Sequence, residues 1–411
     1  MKYGLIGEHL SHSFSRSIHE RLSGEPYELR EVPRETLGEF LRSEPFKAIN
    51  VTIPYKQAVI PYLDSLAPSA IDTGAVNVIV RSGDGRLTGH NTDCDGFKAL
   101  AEEAGVDLSG AKVAVLGSGG AAKAVAAAAR DLGAGKLVFA VRRPSGTDQV
   151  SIYDTELYND CDVLVNATPA GMFPFTDERP VSLEDFPNLK GVLDCIYNPL
   201  RTNLVLDALQ SGIPARGGLR MLVCQAVRAQ ELFRGVKIDD SVSREVYNEL
   251  LSKVRNVVLC GMPSSGKTTL GRMLARQHNC PFVDTDDMIV KEAGLSIPEI
   301  FAAEGEQGFR EREHAAVLGA ACMRGAVIAV GGGAVMREDN VRALRQSGIV
   351  CLLDRSLGLL EPSADRPLSS ECSSLKRLHK QRKSLYLKAA DVVIDNNGGP
   401  DAALSRLSKL F

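Results

Sequence analysis

The chain has 411 residues, and its 48 Lys and Arg against 51 Asp and Glu give a formal net charge of −3. At about 100–200 residues per domain, this length predicts two to four domains and excludes a mini-protein. The composition, 44% hydrophobic and 24% charged, is ordinary for a globular protein and argues against a disordered, collagen-like or coiled-coil chain. Because the basic excess of a protein that neutralises nucleic-acid phosphates is missing, we expect no nucleic-acid partner.

Cysteines and apolar runs bear on the cellular compartment. The nine cysteines are scattered without a CxxC pair, which favours single thiols in a reducing cytosol over disulfides or a zinc site. The first apolar run is too short for the core of a signal peptide. No stretch approaches the length, about 20 apolar residues, that spans a bilayer. We therefore expect a soluble, cytoplasmic protein without a membrane partner.

In the first hundred residues, short apolar strands such as Ala48–Ile53 and Ala75–Val80 alternate with helical stretches, and polar motifs lie near the strand ends. Ser11-His-Ser-Phe-Ser15 clusters hydroxyl groups in a turn. Asn50-Val-Thr-Ile-Pro-Tyr-Lys56 places a lysine just beyond a strand, and Gly89-His-Asn-Thr-Asp93 ends in a carboxylate. Taken one at a time, each motif is ordinary surface chemistry.

The first glycine-rich loop follows an apolar strand and opens into an Ala-rich helix over Ala121–Leu132. Its pattern, Gly117-x-Gly119-x-x-Ala122, is the dinucleotide fingerprint, in which glycines let the backbone approach a pyrophosphate. The next strand, Lys136–Val141, ends in Arg142-Arg143, where NAD enzymes place an acidic residue. Two guanidinium groups favour a 2′-phosphate and therefore NADP(H); the alternative is a solvated pair at a strand end. The residues predicted to bind this cofactor are Gly117, Gly119, Gly120, Ala121, Ala122, Arg142 and Arg143.

A second loop, Gly261-x-x-x-x-Gly266-Lys267-Thr268, is a Walker A motif between a strand and an amphipathic helix, Thr268–Gln277. In such a loop the backbone N–H groups hold phosphates, Lys267 reaches the β- and γ-phosphates, and the Thr268 hydroxyl binds Mg²⁺. Downstream, Phe282-Val-Asp-Thr-Asp286 puts two carboxylates at a strand end, so that one can face the metal's water and the other an acceptor hydroxyl. The residues predicted to bind ATP are Gly261, Ser264, Ser265, Gly266, Lys267, Thr268 and Thr269.

Two strand–loop–helix units predict two separate α/β sheets with a boundary between them. We place this boundary near Leu250–Arg255, where the helical segment Ser243–Lys253 ends and a new strand begins. The segment Leu357–Leu375, rich in Ser, Pro and Glu, is expected to be a mobile loop, and loops of this length are often lids.

Further motifs join the first set in order: Gly74–Asn77, Asn166–Met172, Asp194–Pro199 and Met221–Gln225. Together, over residues 3–250, they resemble the shikimate dehydrogenase family. The resemblance implies a two-lobed α/β enzyme that reduces 3-dehydroshikimate with NADPH. Residues 1–100 would form the substrate-binding lobe and 101–250 the Rossmann NADP-binding lobe, whose helices around 220–250 return to the substrate lobe.

The same resemblance implies a role for individual residues. Hydride addition to a ketone leaves an alkoxide that must receive a proton, and a lysine beside a carboxylate can donate it. For Lys56 and Asp93, the alternative is an ordinary surface salt bridge. The implied roles are substrate-carboxylate binding by Ser13 and Ser15, hydroxyl binding by Thr52, Asn77 and Gln225, catalysis by Lys56 and Asp93, and substrate and nicotinamide contact by Tyr197. The sequence departs from the usual family pattern in three ways: Arg16 replaces a Pro, Cys94 replaces a Gly, and Trp is absent. These departures bear on substrate affinity.

A second series of motifs resembles the shikimate kinase family over residues 256–411. After the Walker A loop it comprises Asp284-Thr-Asp286, Gly305–Arg310, Gly331–Gly333, Arg366-Pro-Leu368 and Arg382–Tyr386. The resemblance implies a parallel α/β P-loop domain, like the nucleoside monophosphate kinases, that uses ATP and Mg²⁺. Before Arg366, the segment is shorter than is usual in the family and lacks an additional arginine, which bears on the rate of phosphoryl transfer.

Roles in the second domain are again implied by resemblance. For Arg382, which lies in the basic stretch Lys376–Lys388, the alternative is a solvated or nucleic-acid-attracting helix face; for the three glycines it is a plain turn. The implied roles are proton acceptance by Asp286, Mg²⁺ binding by Thr268 and Asp284, carboxylate binding by Arg310 and Arg382, close substrate approach at Gly332 and Gly333, and stabilisation of phosphoryl charge by Lys267 and Arg366.

These patterns predict one chain with two consecutive enzymes: NADPH-dependent reduction of 3-dehydroshikimate to shikimate, then phosphorylation of shikimate to shikimate 3-phosphate. The expected partners are these small molecules; the sequence does not fix an oligomeric state. Two alternatives stay open. One is an NAD-linked quinate or shikimate dehydrogenase with an attached kinase, and the other is a non-catalytic sensor of shikimate, against which Lys56, Asp93, Lys267 and Asp286 argue.

Overall fold

The computed structural model describes residues 1–10, 14–361 and 372–411. The chain divides into two compact units, Met1–Leu250 and Leu251–Phe411. Each unit is built from helices on parallel or mixed β-sheets, which confirms the predicted α/β class. Among the described residues, no helix is long and apolar enough to cross a membrane.

The first sheet, in the first unit, has the strand order β2-β1-β3-β5-β6-β4, with β5 antiparallel to its neighbours β3 and β6. Its inner strand β1 is buried at every position, as expected of a strand covered on both faces. The strands are β1 (Tyr3–Gly7), β2 (Glu28–Glu31), β3 (Ala48–Val51), β4 (Ser65–Leu66), β5 (Val78–Arg81) and β6 (Leu87–His90). The helices are α1 (Ser15–Ser23), α2 (Leu37–Ser43), α3 (Tyr55–Ala58) and α4 (Pro68–Thr73).

The second sheet is wholly parallel, with the order β12-β11-β10-β7-β8-β9. This is the doubly wound Rossmann arrangement, in which ligands bind where the strand order reverses, here between β7 and β10. The strands are β7 (Lys112–Leu116), β8 (Lys136–Val141), β9 (Gln149–Ser151), β10 (Val163–Asn166), β11 (Gly191–Asp194) and β12 (Ala215–Arg216). The helices are α5 (Asp93–Ala104), α6 (Gly120–Asp131), α7 (Asn203–Gln210), α8 (Leu219–Arg234) and α9 (Asp240–Val254).

The second unit contains the third sheet, also parallel, with the order β14-β15-β13-β16-β17. Apolar side chains from both faces of the central strand β13 enter separate cores. Its strands are β13 (Asn256–Cys260), β14 (Phe282–Asp284), β15 (Val327–Ala329), β16 (Gly348–Asp354) and β17 (Val392–Asp395). Its helices are α10 (Lys267–Gln277), α11 (Thr285–Ala293), α12 (Ile297–Ala321, interrupted at Gly305), α13 (Glu338–Ser347), α14 (Cys372–Ala389) and α15 (Pro400–Ser408).

Several element boundaries differ from those predicted. β3 ends at Val51, before Ile53, because the chain turns at Thr52. β5 begins at Val78, later than predicted, because Gly74 ends α4 in the left-handed region with a φ of 57°. The loop predicted to reach Leu375 is too long, since α14 already begins at Cys372.

A close contact between α5 and α8 fixes the helix that begins with Asp93. A methyl group at Gly96 would lie 2.6 Å from the carbonyl oxygen of Met221, whereas nothing lies within 4 Å of a methyl group at Gly83. Since backbone cannot yield as a side chain does, Gly96→Ala must push the two helices apart.

We expect Gly96→Ala to lower the free energy of unfolding of this unit by about 1–3 kcal/mol, the usual cost of overpacking. The matched variant Gly83→Ala should change it by less than about 0.5 kcal/mol. Urea unfolding followed by circular dichroism measures both, and equal stability of the two variants would contradict the packing argument.

Candidate active sites

Lys56 and Asp93 form an ion pair in the first unit. Lys56 lies in α3, just after β3, and Asp93 is the first residue of α5. The distance from Lys56 Nζ to Asp93 Oδ2 is 2.5 Å, and the side chains are 19% and 9% exposed. The pair is therefore shielded from bulk water, unlike an ordinary surface salt bridge.

Two asparagines hold Asp93 in place. The Asn77 amide donates to Asp93 Oδ1 at 2.8 Å and to the Thr92 hydroxyl at 3.0 Å. Asn91 Oδ1 accepts the backbone N–H of Asp93 at 2.9 Å. One carboxylate oxygen thus faces Asn77 and the other faces Lys56. Asn91 was given no role from the sequence, although it lies in the same motif as Asp93.

The other predicted substrate residues lie in different surroundings. Ser15 begins α1, and the neighbouring Phe14 ring meets the Tyr197 ring edge-on at 5.9 Å. Tyr197 therefore lies near the start of α1. The Gln225 amide donates to the carbonyl of Leu222 in its own helix at 2.9 Å. Thr52, half-buried, follows β3, and Ser13 lies outside the described residues.

The first glycine loop lies where the Rossmann strand order reverses. Gly117 has a φ of 108°, and a methyl group there would lie 3.1 Å from the carbonyl oxygen of Ala167. At Gly119, which caps α6, nothing lies within 4 Å of such a group, while at Gly120 the nearest atom is Lys56 Cδ at 3.3 Å. The loop is therefore open toward a ligand and adjoins the Lys56 side chain. Its other predicted residues are half-buried Ala121 and buried Ala122.

Arg142 and Arg143 follow β8, which neighbours the strand that feeds this loop. Both side chains are exposed. No salt bridge to either is found among the described residues. Two uncommitted guanidinium groups at this edge fit an additional phosphate on the ribose of a dinucleotide.

A buried carboxyl group, Asp194, joins the two loops that follow β10 and β11. It accepts hydrogen bonds from the Thr202 hydroxyl at 2.6 Å, the backbone N–H of Ile196 at 2.9 Å and the Asn166 amide at 3.1 Å. Burial raises the pKa of Asp194 to about 6, against the opposing effect of these hydrogen bonds. The network fixes the segment that carries Tyr197. Asp194 lies in one of the sequence motifs, Asp194–Pro199, but no role for it is predicted from the sequence.

The Walker A loop has the strained backbone of a phosphate cradle. Gly261 and Gly266 have φ values of 142° and 93°, and Ser264 has a φ of 62°. Lys267 Nζ donates to the carbonyls of Gly261 at 2.9 Å and Met262 at 3.0 Å. A cavity of about 500 Å³ lies over the loop. The loop residues that line it are Ser264, Ser265, Gly266, Lys267, Thr268 and Thr269.

Thr268 and Asp286 line the same cavity, and Asp284 is hydrogen-bonded to both of them. The Thr268 hydroxyl donates to Asp284 Oδ2 at 2.7 Å. Asp284 Oδ1 accepts the backbone N–H of Asp286 at 3.0 Å and thereby caps α11. The described residues hold no cluster of three or more His, Cys, Asp or Glu side chains suited to a metal. Separately, the Thr268 hydroxyl and the Asp284 carboxylate are oxygen donors, and Mg²⁺ is usually held by one or two such protein oxygens together with substrate phosphates.

Arg310 is oriented by Glu313, one turn further along α12. Arg310 Nη1 donates to Glu313 Oε2 at 2.7 Å. Burial raises the pKa of Glu313, while the charge of Arg310 acts in the opposite direction. A methyl group at Gly331 would lie 2.7 Å from both Asp286 Oδ1 and Glu313 Oε1. Glu313 is not among the residues predicted from the sequence, although a carboxylate three residues after an arginine on a helix signals such a pair.

Two side chains of α14 hold the triple-glycine turn, Gly331–Gly333. Its Gly332 carbonyl accepts hydrogen bonds from Tyr386 Oη at 2.5 Å and Arg382 Nη1 at 3.1 Å. Arg382 is only 5% exposed, so its alternative interpretation as part of a solvated face is wrong. A methyl group at Gly333 would collide with Arg310. This turn thus brings the two predicted carboxylate-binding arginines close together; Arg366 lies outside the described residues.

Comparisons with known proteins point to two enzymes. The model of the shikimate dehydrogenase substrate binding domain matches residues 5–79, and that of shikimate kinase matches residues 263–410. Shikimate dehydrogenase (NADP(+)) of Clostridium beijerinckii is 37% identical over 261 residues, which cover 60% of this chain and 96% of the relative.

Solved structures give the same result for the first unit. A chorismate mutase/shikimate 5-dehydrogenase fusion protein from Clostridium acetobutylicum is 36% identical with a TM-score of 0.57, covering 60% of this chain and 96% of that one. Shikimate 5-dehydrogenase from Thermus thermophilus, in complex with NADP(H) and shikimate, is 30% identical with a TM-score of 0.53, covering 61% and 99%. The chain therefore belongs to the shikimate dehydrogenase family and carries a shikimate kinase domain after it, so it is a bifunctional shikimate-pathway enzyme.

Proposed function

We propose that the first unit reduces 3-dehydroshikimate to shikimate with NADPH and that the second phosphorylates the 3-hydroxyl of shikimate with MgATP. One observation carries this proposal: each cofactor loop adjoins a proton-transfer group. Gly120 lies against Lys56, and Asp286 lines the cavity over the Walker A loop. The product of the first reaction is the substrate of the second.

In the first site, bound NADPH supplies the hydride that turns the ketone of 3-dehydroshikimate into an alkoxide. The Lys56 ammonium then donates a proton to that oxygen, and its attraction to Asp93 at 2.5 Å holds it in position. Asn77 and Asn91 keep the carboxylate fixed through their hydrogen bonds. Arg142 and Arg143 would select NADPH by pairing with its 2′-phosphate.

In the second site, ATP supplies the phosphoryl group. Asp286 accepts the proton of the attacking hydroxyl, while Arg310 and Arg382 bind the shikimate carboxylate through forked hydrogen bonds. Thr268 and Asp284 would hold Mg²⁺, directly or through its water. Backbone N–H groups of the Walker A loop and Lys267 bind the phosphates. Arg366 is assigned to the transferred phosphoryl group by resemblance alone.

Removing the proton donor should separate the two activities. We expect Lys56→Met to lower kcat for 3-dehydroshikimate reduction by roughly 10²–10⁴-fold, because general acid catalysis is lost, and to leave phosphorylation unchanged. Lys98→Met, which removes a more exposed ion pair with Asp131, is the matched control. Coupled NADPH oxidation measures the first activity, and undiminished reduction by Lys56→Met would exclude Lys56 as the donor.

The reverse separation is expected from the second unit. Asp286→Asn removes the proton acceptor, so phosphorylation of shikimate should fall by roughly 10²–10⁴-fold while reduction continues at the normal rate. Asp339→Asn, at a side chain 72% exposed, should change neither activity. Formation of shikimate 3-phosphate, followed by mass spectrometry, is the readout. Normal product formation by Asp286→Asn would assign the proton transfer to another group.

The choice of cofactor is tested at β8. We expect replacement of both Arg142 and Arg143 by alanine to raise the KM for NADPH by roughly 10–100-fold, because charged hydrogen bonds to the 2′-phosphate are lost. The KM for NADH, which lacks that phosphate, should stay the same. Arg130→Ala, at an exposed position of α6, is the control. Comparable wild-type turnover with NADH and NADPH would instead favour the NAD-linked alternative.

A further inference from the structure

Arg355 lies beside the Walker A loop and was given no role from the sequence. It is the first residue after β16 and is half-buried. Its Nε atom is buried and has no hydrogen-bond partner among the described residues. Leaving a buried donor unpaired is costly, and more so for a charged group. An anionic ligand beside this guanidinium would remove that cost.

Arg355 lies next to the Walker A loop. It lines the same cavity as the residues from Ser264 to Thr269. Its Nη1 atom lies 3.9 Å from where a methyl group on Gly266 would be. On the adjoining strand end, Asn396 donates to the carbonyl of Ser265 at 2.7 Å. Asn396 therefore holds the loop from outside the cavity. Arg355 lines the cavity together with the loop residues.

Strand order shows on which side of the loop Arg355 stands. All strands of the sheet are parallel, so Asp286 after β14, the loop after β13 and Arg355 after β16 lie along one edge. In the order β14-β15-β13-β16, the loop lies between the aspartate and the arginine. Attacking and leaving oxygens are roughly in line in phosphoryl transfer. With the acceptor at Asp286, the remainder of the nucleotide extends toward Arg355.

We propose that Arg355 is a nucleotide-binding residue that pairs with the phosphate nearest the nucleoside. This rests on the proposed use of ATP by the second unit. Arginine suits the task because its forked N–H groups match phosphate oxygens and it stays charged. Lys267 alone places one positive charge in the loop; Arg355 adds a second from a different strand.

The test uses the full chain and compares ADP with inorganic pyrophosphate, which has the phosphates but no nucleoside. Arg355→Met should weaken the binding of both by about tenfold in calorimetric titrations, with an unchanged KM for shikimate. Arg355→Lys, which keeps the charge but not the fork, should show a smaller loss. Arg406→Met, at an exposed position of α15, should bind both ligands normally.

Several outcomes would overturn the assignment. Unchanged ADP affinity in Arg355→Met would exclude it, and so would a loss for ADP without a loss for pyrophosphate, since that pattern means contact with the base. Weakening of shikimate and ADP together in both Arg355 variants would indicate a structural role. A wild-type chain that binds neither ADP nor pyrophosphate would overturn the proposed kinase reaction itself, and this assignment with it.

Discussion

A strand that is covered on both faces carries mostly apolar side chains, so polar catalytic groups can lie only at the ends of its sheet. This constraint determines where the candidate sites of both units lie. β7 and β13 are apolar and buried along nearly their whole length, so neither can present a charged side chain from its middle. Each instead delivers a glycine loop at its carboxyl end, where helix N–H groups attract anions. Among the described residues, the groups that we assign to chemistry in the second unit, such as Lys267, Asp286 and Arg355, lie at such an end or on a helix that begins there.

The two units use this constraint in different ways. In the first, the glycine loop follows a strand of the Rossmann sheet and the proposed proton donor, Lys56, follows a strand of the mixed sheet, and the Lys56 side chain adjoins Gly120. In the second, the Walker A loop follows β13 and the proposed proton acceptor, Asp286, follows β14, and only β15 lies between these two strands of one sheet. The proposed reduction therefore uses groups that follow strands of two sheets, whereas the described groups of the proposed kinase site belong to one sheet and its helices.

Much of this arrangement could be predicted from the sequence because glycine loops, strand-end carboxylates and their order are local features. Lys56 and Asp93 were predicted as a pair, and they are in contact. What could not be predicted depends on partners distant in the chain. A role for Asp194 follows only from its hydrogen bonds with Thr202 and Asn166. A role for Arg355 follows only from its position beside the loop after β13. Strand ends were misplaced at Val51 and Val78 because short turns compete with apolar propensity there.

The buried Asp194 has a thermodynamic consequence. Its pKa is about 6 in the folded chain, raised from 3.8 chiefly by burial, so the folded state holds this proton more tightly than the unfolded state does. As pH rises from 3.8 through 6, unfolding becomes easier, and by linkage the ionised carboxylate costs about 3 kcal/mol at neutral pH. The Asp194 network thus orders the loops around Tyr197 but lowers the free energy of unfolding at neutral pH. Such a loss of stability is common where function requires one fixed geometry.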